Sequence, residues 1–237
     1  QEMLRELGVF KGDTLLVHSS LQNLGLVEEG IEGIFKGVTA QITDKGTILV
    51  PSANTQTFIH DQFDIDNTPV QTDLGMFSEF IRGQKDTIRS GNPFDSLCGF
   101  GHNAMTICGK TNTHGYDGNS PWIKALKFKT KLLLLGTSFY YASIVHAAET
   151  TSQVPYREWK KFTGKIIKNG ILIKEDYYLY ARPLGMKCHY ERISKLPGIE
   201  DSVARIETTL GELLLVDLNI VYKSCVKILH ENPDYFL

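Results

Sequence analysis

The chain has 237 residues, 42% of them hydrophobic, and a formal net charge of −2. That apolar share is enough for a packed core and argues against disorder, and the near-neutral charge gives no basic field for nucleic acid. The apolar runs, such as residues 132–135, are strand-sized and far short of the roughly 20 residues that span a bilayer, so no membrane association is expected.

The four cysteines, Cys98, Cys108, Cys188 and Cys225, show no CxxC spacing and read as reduced thiols in a cytosolic protein. No signal peptide is visible, although the chain opens on Gln1 rather than Met, and a cytoplasmic location is expected. The length suits one domain over 1–237 with a small annex.

Residues 1–7 have helical spacing and stop at Gly8, and 14–18 (TLLVH) form a short buried strand. Ser19 and Ser20 follow, at the turn that opens residues 21–26. Serines after a strand expose hydroxyls and N–H groups to an anion, or simply cap a turn. Residues 28–42 carry Ile31, Ile34, Phe35 and Val38 on one helical face, and 47–50 return as a strand. Strand, helix, strand is the grammar of a mainly parallel sheet with right-handed crossovers.

Residues 52–72 are polar and irregular and read as a long surface loop able to cover a pocket. Residues 73–82 read as a helix. RSGNPFDS (89–96) packs Arg89, Ser90 and Ser96 around a Pro-set turn. The Arg89 fork matches phosphate or carboxylate oxygens, and a surface ion pair is the plainer use. Residues 99–110 contain a helix-like span. THGYDGNSPW (113–122) is a tight loop in which Ser120-Pro121 looks like a helix start, and His114 sits in it.

The apolar strand of 131–135 turns at Gly136 and enters a helix-like segment with His146 and Glu149. Three residues apart on a helix, imidazole and carboxylate share a face, which makes His146 a candidate general base and Glu149 its orienting partner. A structural i,i+3 pair is the simpler alternative. Pro155 ends the helix, and 159–168 and 170–180 read as a hairpin around a Lys-Asn-Gly turn, an antiparallel annex. Residues 192–196 and 202–206 are ambiguous, 208–216 read as a short strand, and 217–231 as a helix stopped by Pro233. His18, His102, His114 and His146 show no paired metal-ligand spacing, so no metal is expected.

Four stretches in order resemble the aminoglycoside 3-N-acetyltransferase family: GDTLLVHSSLQNLG (12–25), RSGNPFDS (89–96), HGYDGNSPWIKAL (114–126), and LLLLGTSFYYASIVHAAE (132–149) with VPYR behind it. One departure is Asn92, where the family often has His before the proline. The resemblance implies an α/β/α sandwich around a mainly parallel sheet, and an acetyl-CoA-dependent N-acetyltransferase of an amino sugar, either an antibiotic (hence drug resistance) or a sugar of surface-polysaccharide assembly. It implies that His146 is the base and Glu149 its partner, and that no covalent enzyme intermediate is needed. Acetyl-CoA is expected near His18, Ser19 and Ser20, with Arg89, Ser90 and Ser96 in the same cleft. The acceptor is expected near His114, Asp117 and Ser120. Backbone N–H groups near Ser19 or Ser20 are the expected oxyanion donors. A serine hydrolase using Ser19 or Ser20 is the alternative enzyme, without the G-x-S-x-G elbow. A non-catalytic binding module is a further alternative, and a homo-oligomer stays open.

Overall fold

A computed structural model describes residues 1–25 and 27–237. Leu26, the last residue of the stretch 21–26 that follows Ser20, lies outside the described residues. In chain order the elements are α1 (Glu2–Glu6), β1 (Thr14–Ser19), α2 (Gly30–Ile42), β2 (Thr47–Pro51), α3 (Thr55–His60), β3 (Gln62–Asp64), α4 (Met76–Arg82), β4 (Ile88–Arg89) and β5 (Leu97–Gly101). There follow α5 (Ala104–Cys108), α6 (Pro121–Ala125), β6 (Lys131–Leu135), α7 (Ile144–Ser152), β7 (Glu158–Lys168), β8 (Ile171–Ala181), β9 (Ala204–Glu207), β10 (Glu212–Asp217) and α8 (Leu218–Glu231).

The leucine run of β6 explains the layering. Strand side chains alternate faces, so four consecutive leucines demand cover on both sides. Leu132 and Leu134 enter one core, with Leu16, Leu49, Trp122, Ile144, Val221 and Leu229. Leu133 and Leu135 enter the other, with Leu15, Val17, Ile48, Leu4, Val38, Phe77 and Ile81. The result is a three-layer α/β/α sandwich. Its seven-stranded sheet has the order β4-β5-β2-β1-β6-β10-β9. The parallel grammar of the sequence holds at the centre, where β1 pairs in parallel with β2 and β6. The flanking pairings, β2 with β5, β5 with β4, β6 with β10 and β10 with β9, run antiparallel.

The annex is the hairpin of β7 and β8, closed by Asn169 and Gly170, both at positive φ (51° and 73°). This is the residue pair that a two-residue hairpin turn favours. Residues 52–72 correct the surface-loop reading. They form α3 and β3, and β3 adds to the annex beside β7. Phe58, Phe63 and Ile65 carry them inward, burying with Phe94, Ile166 and Tyr177 in a third core. Gly164 makes room, since a Cβ there would lie 2.3 Å from the Phe58 ring. The helix expected over 73–82 is interrupted at Gly75 and starts at Met76. All four cysteines are buried and free. No helix among the described residues is long and apolar enough to cross a membrane.

Candidate active site

The neighbouring parallel strands β1 and β6 end side by side, Ser19 opposite Leu135. Beyond the carboxyl ends of such strands a crevice opens where their connections diverge. Here it is a cavity of about 760 Å³. Its floor is the turn after β1 (His18, Ser19, Ser20) and the turn after β6 (Gly136, Thr137, Ser138). Its walls come from Thr72–Met76, Tyr140, Tyr141, His146, Arg182, Tyr190 and residues 210–212. Gly136 is required at the floor: its φ is +63°, and a Cβ would lie 2.7 Å from the Ser20 carbonyl oxygen.

α7 presents His146 and Glu149 together, with His146 Nδ1 2.9 Å from Glu149 Oε2. The carboxylate is fully buried. Its other partners saturate it: Arg157 Nη2 lies 2.7 Å from Oε2, and the hydroxyls of Tyr156 (2.8 Å) and Tyr190 (3.0 Å) donate to Oε1. Burial alone would raise the Glu149 carboxyl. The hydrogen bond and charge of His146, the Arg157 guanidinium and the Tyr156 hydroxyl overcome that and hold it at about 2. Burial pushes both tyrosines far above the phenol range, so they stay donors.

An ionised Glu149 can only accept, so Nδ1 of His146 carries its proton and Nε2 carries the lone pair. Arg157 Nη2 also approaches Nδ1, at 3.2 Å, and reinforces that tautomer only through Glu149. Nε2 has no protein partner among the described residues and is not sealed in, so it opens to the cavity that His146 lines. Burial lowers the His146 pKa below its usual 6.5, with Glu149 opposing the shift. The imidazole is therefore neutral, and a base, at pH 7.

The sequence profile of the family described as aminoglycoside 3-N-acetyltransferase matches residues 16–211. The chain belongs to this family. Aminoglycoside N(3)-acetyltransferase IV of Salmonella sp is 29% identical over 174 residues, covering 73% of this chain and 65% of that protein. The SPbeta prophage-derived aminoglycoside N(3')-acetyltransferase-like protein YokD of Bacillus subtilis (strain 168) is 28% identical over 200 residues, covering 74% of this chain and 72% of its own length. The chain thus spans about two thirds of the curated relatives it matches. The solved YokD structure superposes with a TM-score of 0.87 at 22% identity, covering 99% of this chain and 93% of that one. AAC-IIIb in a binary complex with CoASH gives 0.86 at 21%, covering 96% and 93%. These likenesses share the fold.

Against the family motifs, the structure sorts the expected site residues. His146, His18, Ser19 and Ser20 line the cavity. His18 is no cation: burial first, and then the neighbouring His146, lower its pKa to about 3. Its Nε2 is buried without a partner, and its ring lies 6.3 Å from that of Trp122. The Ser20 N–H donates to Leu135 O, at 2.9 Å, so that one N–H is not available as an oxyanion donor. The hydroxyls of Ser19 and Ser20 make no protein hydrogen bond among the described residues and remain available.

Arg89, Ser90 and Ser96 do not reach the cavity, which corrects their placement in the coenzyme cleft. Arg89 is buried over the Phe63 ring, 4.6 Å from its centroid, and donates to the carbonyls of Ser52, Ile65 and Thr68. It pins 52–68 under the annex. Ser90 Oγ accepts from Leu97 N, and Ser52 Oγ donates to Ser96 Oγ. Asn92 Oδ1 accepts from Phe94 N, so it sets the turn ahead of Pro93. Asp95 binds this loop to the third motif, accepting from Asn112 Nδ2 (3.0 Å) and Tyr116 N (2.8 Å).

His114, Asp117 and Ser120 likewise miss the cavity, a correction to the acceptor site. His114 stacks on Tyr178 with centroids 4.4 Å apart. Asp117 Oδ1 accepts from Asn119 N, and Ser120 caps α6 by accepting from Ile123 N. The residue of that loop that touches the site is Tyr116, whose ring stands edge-on to His146 at 5.3 Å. Residues the sequence did not single out are Tyr156, Arg157, Arg182 and Tyr190. VPYR marked the first two, as polar side chains one turn past the dyad. Arg182 and Tyr190 arrive after the annex, with no spacing to announce them.

Proposed function

We propose that this protein transfers the acetyl group of acetyl-CoA to the amino group of an amino sugar. The observation that carries the reading is a neutral imidazole whose tautomer is fixed by a buried, charge-saturated carboxylate and whose free Nε2 opens on a 760 Å³ cavity. Such a volume suits a thioester arm and a sugar together. Family membership and the CoASH bound to AAC-IIIb support the choice of donor.

In the reaction the amine nitrogen attacks the thioester carbon. The C–N bond forms, the carbonyl electrons move to oxygen, and His146 Nε2 takes the proton that the nitrogen sheds. As the oxyanion collapses, the C–S bond breaks and the CoA thiolate takes the proton from the imidazolium. Amide and free thiol are the products, and the enzyme is unchanged. Base assistance of this kind contributes about 10²–10⁴-fold. Glu149 stabilises the imidazolium at the moment it forms, and its saturation by Arg157, Tyr156 and Tyr190 prevents it from taking the proton itself. The hydroxyls of Ser19 and Ser20, uncommitted on the floor, are candidate donors for the oxyanion.

The test is thiol release from acetyl-CoA across a panel of amino sugars, with mass detection of the N-acetyl product. Acetylated amine and CoA in equal amounts are expected. Thiol release at the same rate without any amine, giving acetate, points instead to a hydrolase.

A further inference from the structure

Arg182 is the one lysine or arginine among the described residues that line the cavity. It is exposed there and makes no ion pair with a carboxylate of the described residues. Its Nη1 lies 3.3 Å from the Tyr190 hydroxyl, which in turn donates to Glu149 at 3.0 Å. The guanidinium therefore stands two hydrogen bonds from Glu149 of the dyad and shares the cavity lining with His146.

That position decides between two anionic partners. The phosphates of CoA are separated from its thioester by the pantetheine arm. Extended, this arm spans on the order of 15 Å by the bond geometry that gives a peptide about 3.5 Å per residue. With the thioester at His146, an extended arm would carry those phosphates about 15 Å from the dyad, farther than the two hydrogen bonds that separate Arg182 from it. An anion held by Arg182 belongs to the acceptor.

The acids of the wall point the same way. Glu212 is engaged by Arg205 at 2.8 Å. Among the described residues of the lining, Asp73, held by the Gln71 amide, is the carboxylate without a cation. One uncompensated acid and one uncompensated guanidinium match an acceptor with one ammonium and one anion. A polycation would bring several ammonium groups to a wall with a single free carboxylate, and burying them unpaired is costly.

We infer that the acceptor is an amino sugar carrying a single anionic group, a carboxylate or a phosphate, seated on Arg182, and that polycationic aminoglycosides are poor substrates. This rests on the acetyl-transfer reading and narrows it. A guanidinium fork grips either anion through paired N–H bonds.

The experiment compares kcat/KM for glucosamine, glucosamine 6-phosphate, glucosaminuronic acid and kanamycin, in the wild type and in Arg182→Gln. The wild type is expected to prefer at least one anionic acceptor over glucosamine by about tenfold or more, the effect of one hydrogen bond to a charged group. The arm that shows the preference distinguishes phosphate from carboxylate. In Arg182→Gln that ratio falls toward one. Equal or better use of kanamycin, a ratio near one in the wild type, or a ratio that survives the substitution overturns the inference while leaving acetyl transfer intact. Calorimetric titration with glucose 6-phosphate and glucuronate separates the two claims. Binding of either that is lost in Arg182→Gln upholds the anion seat even if no amine is acetylated. No binding of either together with no anionic preference refutes it.

Discussion

Replacing Glu149 by Gln removes one negative charge from a fully buried site without changing its size. Oε2 now serves His146 at 2.9 Å and Arg157 at 2.7 Å. In either amide orientation the charge that stabilises the imidazolium is gone. At an effective dielectric near 20, two unit charges about 4 Å apart are worth about 4 kcal/mol, so kcat should fall about 10³-fold. If the amide NH₂ takes the Oε2 place, it meets two donors, and the ring escapes by moving its proton to Nε2, the nitrogen the reaction needs free. Arg157, itself buried, also loses its counter-charge, and breaking a buried pair on one side costs about 3–5 kcal/mol. For a chain of this size that is a fall in Tm of about 10 °C. Thiol release from acetyl-CoA and a thermal melt read the two effects. A rate within about tenfold of wild type, with Tm unmoved, refutes the argument.

His146 should titrate below 6.5 by imidazole NMR in the wild type, so activity is retained as pH falls until that lowered pKa is crossed. In Glu149→Gln its pKa should fall further, because the hydrogen bond and charge that raise it are removed; a rise would contradict the assignment. Asp95 gives the opposite sign to most acids. Burial pushes its carboxyl up to about 7, so its share of stability is complete below the unfolded value near 3.8 and is lost as pH rises through 7. Asp95→Asn should therefore gain on the wild type as pH rises from about 4 to about 7, by up to about 1.4 kcal/mol per pH unit, and level off above that. A Tm difference independent of pH would count against this. Gly164→Ala should cost about 1–3 kcal/mol, because the new methyl meets the buried Phe58 ring, and an unchanged melt would show that the annex core yields there.

Much of the fold was legible where burial is written in short apolar runs. The leucines of β6 announce a strand covered on both faces, and Asn169-Gly170 announces the hairpin. The i,i+3 spacing of His146 and Glu149 likewise brought the dyad together. Signals failed where polar-looking segments were stapled by a few large side chains. Phe58 and Phe63 are scattered among polar residues, so α3 and β3 read as loop. The short strands β4 and β9 offered too few residues for alternation to show. Arg89, Ser90 and Ser96 looked like ligand contacts because a loop that needs many internal hydrogen bonds uses the same residue types as an anion site. Arg182 and Tyr190 come to the cavity only through tertiary packing.

The central claim is that His146 Nε2 takes the amine proton. His146→Ala, assayed for acetyl transfer to the best acceptor of the panel beside a calorimetric titration with CoA, tests it most directly. Turnover is expected to fall at least 100-fold with CoA affinity retained. Turnover within about threefold of the wild type would contradict it.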